Sequence, residues 1–262
     1  MTGPGKNHRL HHIFRENGRT LIVALDHATV YGAMGGLERP GELIRQLRRG
    51  GTDAILTSYG IGKKFADQIG GMGLILRVDG GQTDLAQERG PLHLLYQAED
   101  ALRLGADAVG VMGMPGSRFE SQTLPYLSAL VGQCAPWNLP VLAEMLPGGF
   151  EDPARMWTPD TIRAACRIGA EMGVDLVKTA YTGDVESFAK IVEQVYVPLV
   201  ILGGKSGDPR DLLESIHGAM QAGASGVACG RNIFQYEQPA RIVAAVAAII
   251  HEGATVDLSL IH

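Results

Sequence analysis

Residues 172–184 read MGVDLVKTAYTGD, and the order of residue types in that stretch carries the fold. Met172 ends a run with helical spacing, Gly173 supplies the left-handed residue on which helices commonly stop, and Leu176 to Thr179 follows as a short aliphatic strand. The same phrase recurs as LGADAVGV at 104–111 and as AGASGVAC at 222–229. A helix end, a glycine and an apolar strand in that order form the return connection of a βα unit.

Working outward, eight aliphatic runs read as strands: Leu21 to Asp26, Ala54 to Thr57, Leu74 to Asp79, Ala108 to Met112, Val141 to Met145, Leu176 to Thr179, Leu199 to Leu202 and Gly226 to Cys229. Helical stretches are expected between them at Gly41 to Arg49, Pro91 to Leu104, Leu124 to Cys134, Pro159 to Met172, Val185 to Gln194, Pro209 to Ala222 and Pro239 to His251. Pro159, Pro209 and Pro239 suit a first helical turn, where a missing N–H costs nothing. Eight units without a linker fit an α/β fold, a single (β/α)8 TIM barrel filling residues 1–262 as one domain. An open doubly wound sheet stays open as an alternative, because periodicity does not count strands into a ring. Arg9 to Phe14 is expected to form a short N-terminal helix that covers the barrel bottom or an interface.

The chain has 262 residues, 45% of them hydrophobic and 19% charged, which suffices for a large core and excludes disorder. Its net charge of -5 gives no reason to expect nucleic acid or an anionic membrane as partner. Cys134, Cys166 and Cys229 lie far apart, as reduced thiols do in cytosol. Met1 to Arg19 is polar and lacks an apolar signal region, so the reading is a cytoplasmic enzyme.

Barrel active sites lie where strands end, which singles out Asp26, His27, Thr57, Ser58, Tyr59, Arg77, Asp79, Glu144, Lys178, Gly203 to Lys205, Gly230 and Arg231. Asp and Ser at such exits also cap helices, which is the competing reading for Thr57, Ser58 and Asp79. Lys178 is the sharpest candidate. Alternation turns it to the same side as Leu176, into the barrel mouth, where burial disfavours a charged amine and frees it as a nucleophile toward a carbonyl. An ion pair with Asp26 or Glu144 is the alternative and is compatible with that role. Gly203-Gly204-Lys205 and Gly230-Arg231 end adjacent strands, and their bare amides and cations suit a phosphate. Arg77 reads either as a contact to a second anionic group or as a partner of Asp79 or Glu144. His11 and His12 lie outside the barrel, His27, His93 and His217 have no partner at ligand spacing, and the cysteines form no such pair, so neither metal nor cofactor is expected.

LIVALDHA, DLVKTAYTGD, VILGGK and VACGRNIFQ resemble, in order and over nearly the whole barrel, the archaeal-type class I fructose-bisphosphate aldolases. That family lies within the deoxyribose-phosphate aldolase superfamily, together with aminodideoxyheptulosonate synthases and the phospho-autoinducer thiolase. The resemblance implies that Lys178 forms a Schiff base and that Asp26 contacts it and shuttles protons. It also implies that Gly203, Gly204, Gly230 and Arg231 grip phosphate. It further implies homo-oligomers, pentamers or decamers. The family's fifth strand often exits as Met-Tyr-Pro-Arg-Gly, its tyrosine moving the proton; here the exit is Met145-Leu146-Pro147-Gly148-Gly149. Either another group, such as Glu144, His27, Tyr59 or Tyr181, does that work, or the reaction differs from fructose bisphosphate cleavage, and a glycine at 148 argues against fructose 1,6-bisphosphate. The expected reaction is metal-independent cleavage or formation of a C–C bond in a ketose 1-phosphate, giving dihydroxyacetone phosphate and an aldehyde. Thiolase chemistry on a phosphorylated diketone and phospho-sugar isomerisation or epimerisation are the alternatives.

Overall fold

A computed structural model describes residues 3–88, 90–204 and 207–259. Eight parallel strands close into a barrel: β1 (Thr20–Ala24), β2 (Ala54–Thr57), β3 (Gly73–Arg77), β4 (Ala108–Gly113), β5 (Val141–Met145), β6 (Leu176–Thr179), β7 (Leu199–Leu202) and β8 (Gly226–Cys229). Closure is direct, with Thr20 in register with Gly226 and Val23 with Cys229, which removes the open-sheet alternative. Every second strand residue faces inward. Ile22, Ala24, Ala54, Leu56, Ile75, Ala108, Leu142, Leu176, Val200 and Ala228 form one interior cluster, while Val23, Ile55, Val109 and Val177 pack outward against the helices. Burying each large aliphatic side chain contributes about 1.5–3 kcal/mol.

The returns before β2, β4 and β6 repeat one construction. Gly51, Gly105 and Gly173 end helices with positive φ, and two residues on stand Asp53, Asp107 and Asp175. Each carboxylate accepts the N–H of a residue in the preceding strand: Leu21 at 2.7 Å, Leu74 at 2.9 Å and Val141 at 2.9 Å. Each also meets a cation or histidine from the N-terminal segment: Arg15 at 2.5 Å, His12 at 2.6 Å and Lys6 at 2.8 Å. Lys6 and His12 lie in a helix, Pro4–Ile13, and Arg15 just beyond it; the helix end closes the barrel bottom, where Ile13 joins the interior cluster with Phe14 packed against it.

The strands follow the sequence reading closely, and the helices depart from it in four places. Pro91 to Leu104 is not one helix: His93–Leu94 pairs antiparallel with Asp79–Gly80, and the helix starts at Ala98, where Asp100 accepts the Gln97 N–H at 3.0 Å. The helix expected at Leu124 begins at Glu120 and carries Pro125 inside it. The N-terminal helix starts at Pro4 rather than Arg9, and the last expected helix ends at Ala247 and continues as a π-turn to Glu252.

Candidate active site

The interior alternation that buries Ala24, Ile75, Leu142 and Leu176 sets the residues two positions later, Asp26, Arg77, Glu144 and Lys178, above that apolar layer at the strands' C-terminal ends. There the side chains form one connected network. Lys178 Nζ lies 2.9 Å from Glu144 Oε1, the other Glu144 oxygen takes Arg77 Nη2 at 2.5 Å, and Arg77 Nε donates to Asp26 Oδ2 at 2.7 Å. Arg77 Nη1 faces Asp79 Oδ1 at 3.4 Å. The Lys178 side chain is 8% exposed and that of Glu144 6%, so their charges meet with little water to screen them.

Charge and burial pull these groups in opposite directions. Burial raises the Asp26 carboxyl, but Arg77, His27 and Lys178 outweigh it and hold the group at about 2. Glu144 likewise lies below its ordinary value, since Lys178 and Arg77 overcome burial. Asp79 goes the other way: burial lifts it despite Arg77, the Met112 N–H and the Tyr126 hydroxyl. The last two donate to its Oδ2 at 2.9 Å and 3.0 Å. Burial keeps His27 below its ordinary value, and its Nδ1 stands 3.5 Å from Asp26 Oδ1 in an electrostatic approach without hydrogen-bond geometry.

A second region is built by the exits of β7 and β8. Asn232 donates its side-chain amide to the Gly203 carbonyl and ties the two exits together. Gly204 has φ +68° with open space beside it. Gly230 is required by close approach, since a Cβ there would stand 2.5 Å from His27 Cε1 and 2.6 Å from the Ala24 carbonyl oxygen. Arg231 opens the following turn of helix, is exposed, makes no ion pair with the described residues, and its charge acts on His27. His27 therefore feels both Lys178 and Arg231. In register, Lys178 pairs with Val200 and Val200 with Gly226, so Gly203 and Gly230 lie three and four residues farther along, roughly 10–13 Å at ~3.3 Å per residue. Both glycine exits thus stand farther toward the strands' C-terminal ends than the backbone of Lys178.

Some sequence-selected residues are elsewhere. Arg77 is not available to a substrate anion, because each of its three guanidinium nitrogens already faces a carboxylate; the ion-pair alternative describes it, with Asp26 added. Tyr181 does not join the network: its ring packs edge-on against Phe188 at 5.3 Å, and its hydroxyl lies over Gly218 of the helix Pro209–Gln221. Ser58 caps the helix Tyr59–Lys64, Tyr59 stacks on Tyr96 at 4.9 Å, and Thr57 is buried at the outward-facing position next to Leu56. Lys205 lies outside the described residues. Leu146 is fully buried, and Gly148 has φ +69° with Met156 against it. Sequence reasoning missed Tyr126 and Asn232, whose helical positions carry no mark of contacts made across the barrel mouth.

No group of three or more metal-ligating side chains occurs among the described residues, and no described helix is long and apolar enough to cross a membrane. Residues 20–236 match the DeoC/LacD family aldolase. The chain is 34% identical to a 2-amino-3,7-dideoxy-D-threo-hept-6-ulosonate synthase of Halobacterium salinarum, covering 99% of this chain and 97% of that protein. It is 32% identical to a 2-amino-4,5-dihydroxy-6-oxo-7-(phosphonooxy)heptanoate synthase of Streptomyces griseus, covering 94% and 89%. A solved Schiff-base-forming fructose-1,6-bisphosphate aldolase superposes with a TM-score of 0.85 at 30% identity, covering 94% of this chain and 100% of that one. The closed barrel with its charged mouth and these likenesses over nearly the full length agree: the chain belongs to the DeoC/LacD family of aldolases and is an enzyme of the Schiff-base, class I kind.

Proposed function

We propose that Lys178 forms the Schiff base and that the enzyme cleaves or builds a ketose 1-phosphate at the C–C bond that separates dihydroxyacetone phosphate from an aldehyde. The observation that carries this reading is the Lys178 amine itself, buried on the barrel's inner face with a carboxylate 2.9 Å away. An amine must be unprotonated to attack a ketone, and Glu144 is the group in contact that can take its proton and return it to the departing hydroxyl of the carbinolamine. The resulting iminium withdraws electrons from the neighbouring C–C bond. Asp26, held ionised by Arg77, accepts the proton of the hydroxyl beyond the scissile carbon; the bond breaks to an aldehyde and an enamine, and protonation and hydrolysis release the phosphoketone. Gly203, Gly204, Gly230 and Arg231 receive the phosphate.

The Streptomyces griseus relative is named for a compound with a phosphonooxy group on the carbon beside its ketone, the arrangement that a ketose 1-phosphate also has. Glycine at 148 supplies no cation for a second phosphate, which argues against fructose 1,6-bisphosphate. Both relatives' names add an amino-acid end, so an aldehyde bearing one is the first acceptor to try.

Ketose 1-phosphates and fructose 1,6-bisphosphate should be compared for release of dihydroxyacetone phosphate. The expected result is faster release from the monophosphates, unaffected by EDTA and abolished in Lys178→Ala. Interconversion of sugar phosphates that survives Lys178→Ala, without release of dihydroxyacetone phosphate, would instead indicate isomerisation, and product formation dependent on coenzyme A would indicate thiolase chemistry.

A further inference from the structure

Arg77 stands on β3, two strands from β1 and two from β5 in the ring, midway between the elements that carry Asp26 and Glu144. Its three guanidinium nitrogens face three carboxylates, at 2.7 Å for Asp26, 2.5 Å for Glu144 and 3.4 Å for Asp79. A planar, always charged fork suits such an arrangement, and an ammonium on a flexible stem does not reproduce it. On the far side the plane is anchored: Asp79 keeps one oxygen for Arg77 and gives the other to the Met112 N–H and the Tyr126 hydroxyl.

We propose that Arg77 is a positioning residue of the aldol reaction, a strut that sets Asp26 and Glu144 at fixed places on either side of Lys178, with Asp79 and Tyr126 fixing its plane. This deepens the reading of Lys178 as the Schiff-base amine and rests on it. The same strut sets the charge of the site. Lys178, Arg77 and Asp26 act on Glu144; Arg77, His27 and Lys178 act on Asp26; Arg77, Tyr126 and Glu144 act on Asp79. Without the guanidinium, Glu144 and Asp26 each lose one of the charges that oppose burial, and both carboxyls move upward.

The test is kinetics of Arg77→Met, Arg77→Lys and Tyr126→Phe, with borohydride trapping of dihydroxyacetone phosphate on the wild type as control. Arg77→Met is expected to lower kcat by about 100-fold, as small misplacements of catalytic groups do. KM should change little, and the acid limb of kcat/KM should move to higher pH. Arg77→Lys should recover part of kcat. Tyr126→Phe, which leaves Arg77 and its three carboxylates in place, should lower kcat by about 3- to 10-fold without moving that limb. A folded Arg77→Met protein with wild-type kcat and pH profile, or a loss confined to KM, overturns the proposal. Should Arg77→Met not fold, an unchanged kcat in Tyr126→Phe overturns it. Absence of trapping in the wild type is a separate result: it removes the Schiff-base reading, and the strut with it.

Discussion

At the residue scale, Asp26 shows how much depends on partners that the chain brings from afar. Its carboxyl lies at about 2 against an ordinary 3.8, because Arg77, 51 positions away, together with His27 and Lys178 outweighs burial. A depressed carboxyl stabilises the fold above the unfolded value and loses that contribution as pH falls through the folded one, so the window is roughly pH 4 down to pH 2. The shift corresponds to about 2 kcal/mol. Asp26→Asn should therefore be less stable than wild type at pH 6, and chemical denaturation should show the difference shrinking as pH drops toward 3; a difference constant with pH would contradict it. Lys178 and Glu144 were legible in sequence because period-two alternation and a strand's end fix which side they face. Arg77 was visible as a residue but not as a three-way partner, since pairing across a barrel depends on ring closure that one strand does not encode. Leu146 is fully buried and, as an aliphatic side chain, has no proton to exchange, so the proposed mechanism assigns the transfers to Asp26 and Glu144.

At the element scale, the repeated Gly-x-Asp return joins local sequence to stability. Glycine ends the helix in the left-handed region, and the aspartate two residues later ties one strand to the strand before it and to the N-terminal helix. The glycines were legible as helix stops; the aspartates were not singled out, because their partners Lys6, His12 and Arg15 lie 38 to 169 positions away. Asp175→Ala removes the Lys6 pair and leaves the Val141 N–H unsatisfied, at a cost of about 1–3 kcal/mol. Melting should fall by several degrees, at roughly 2–4 °C per kcal/mol for a chain of this size, while kcat stays at the wild-type value. A large loss of kcat at unchanged Tm would show that this end of the barrel is not separate from the chemistry. The element missed outright, the ribbon of Asp79–Gly80 with His93–Leu94, is too short to show a period, and the helical spacing beyond it masked its start.

At the scale of the whole molecule, the barrel separates two tasks. Its N-terminal end is closed by Ile13, Phe14 and the ion pairs of the first helix; its C-terminal end collects an amine, an arginine and three carboxylates over the apolar interior. Cys134, Cys166 and Cys229 are buried and their thiols pushed up to about 12 by that burial, which makes them poor nucleophiles. The direct measurement is reduction with borohydride in the presence of dihydroxyacetone phosphate, followed by peptide mass spectrometry. One adduct, on the peptide that carries Lys178, is the predicted result; an adduct on a different lysine, or none, would contradict the account.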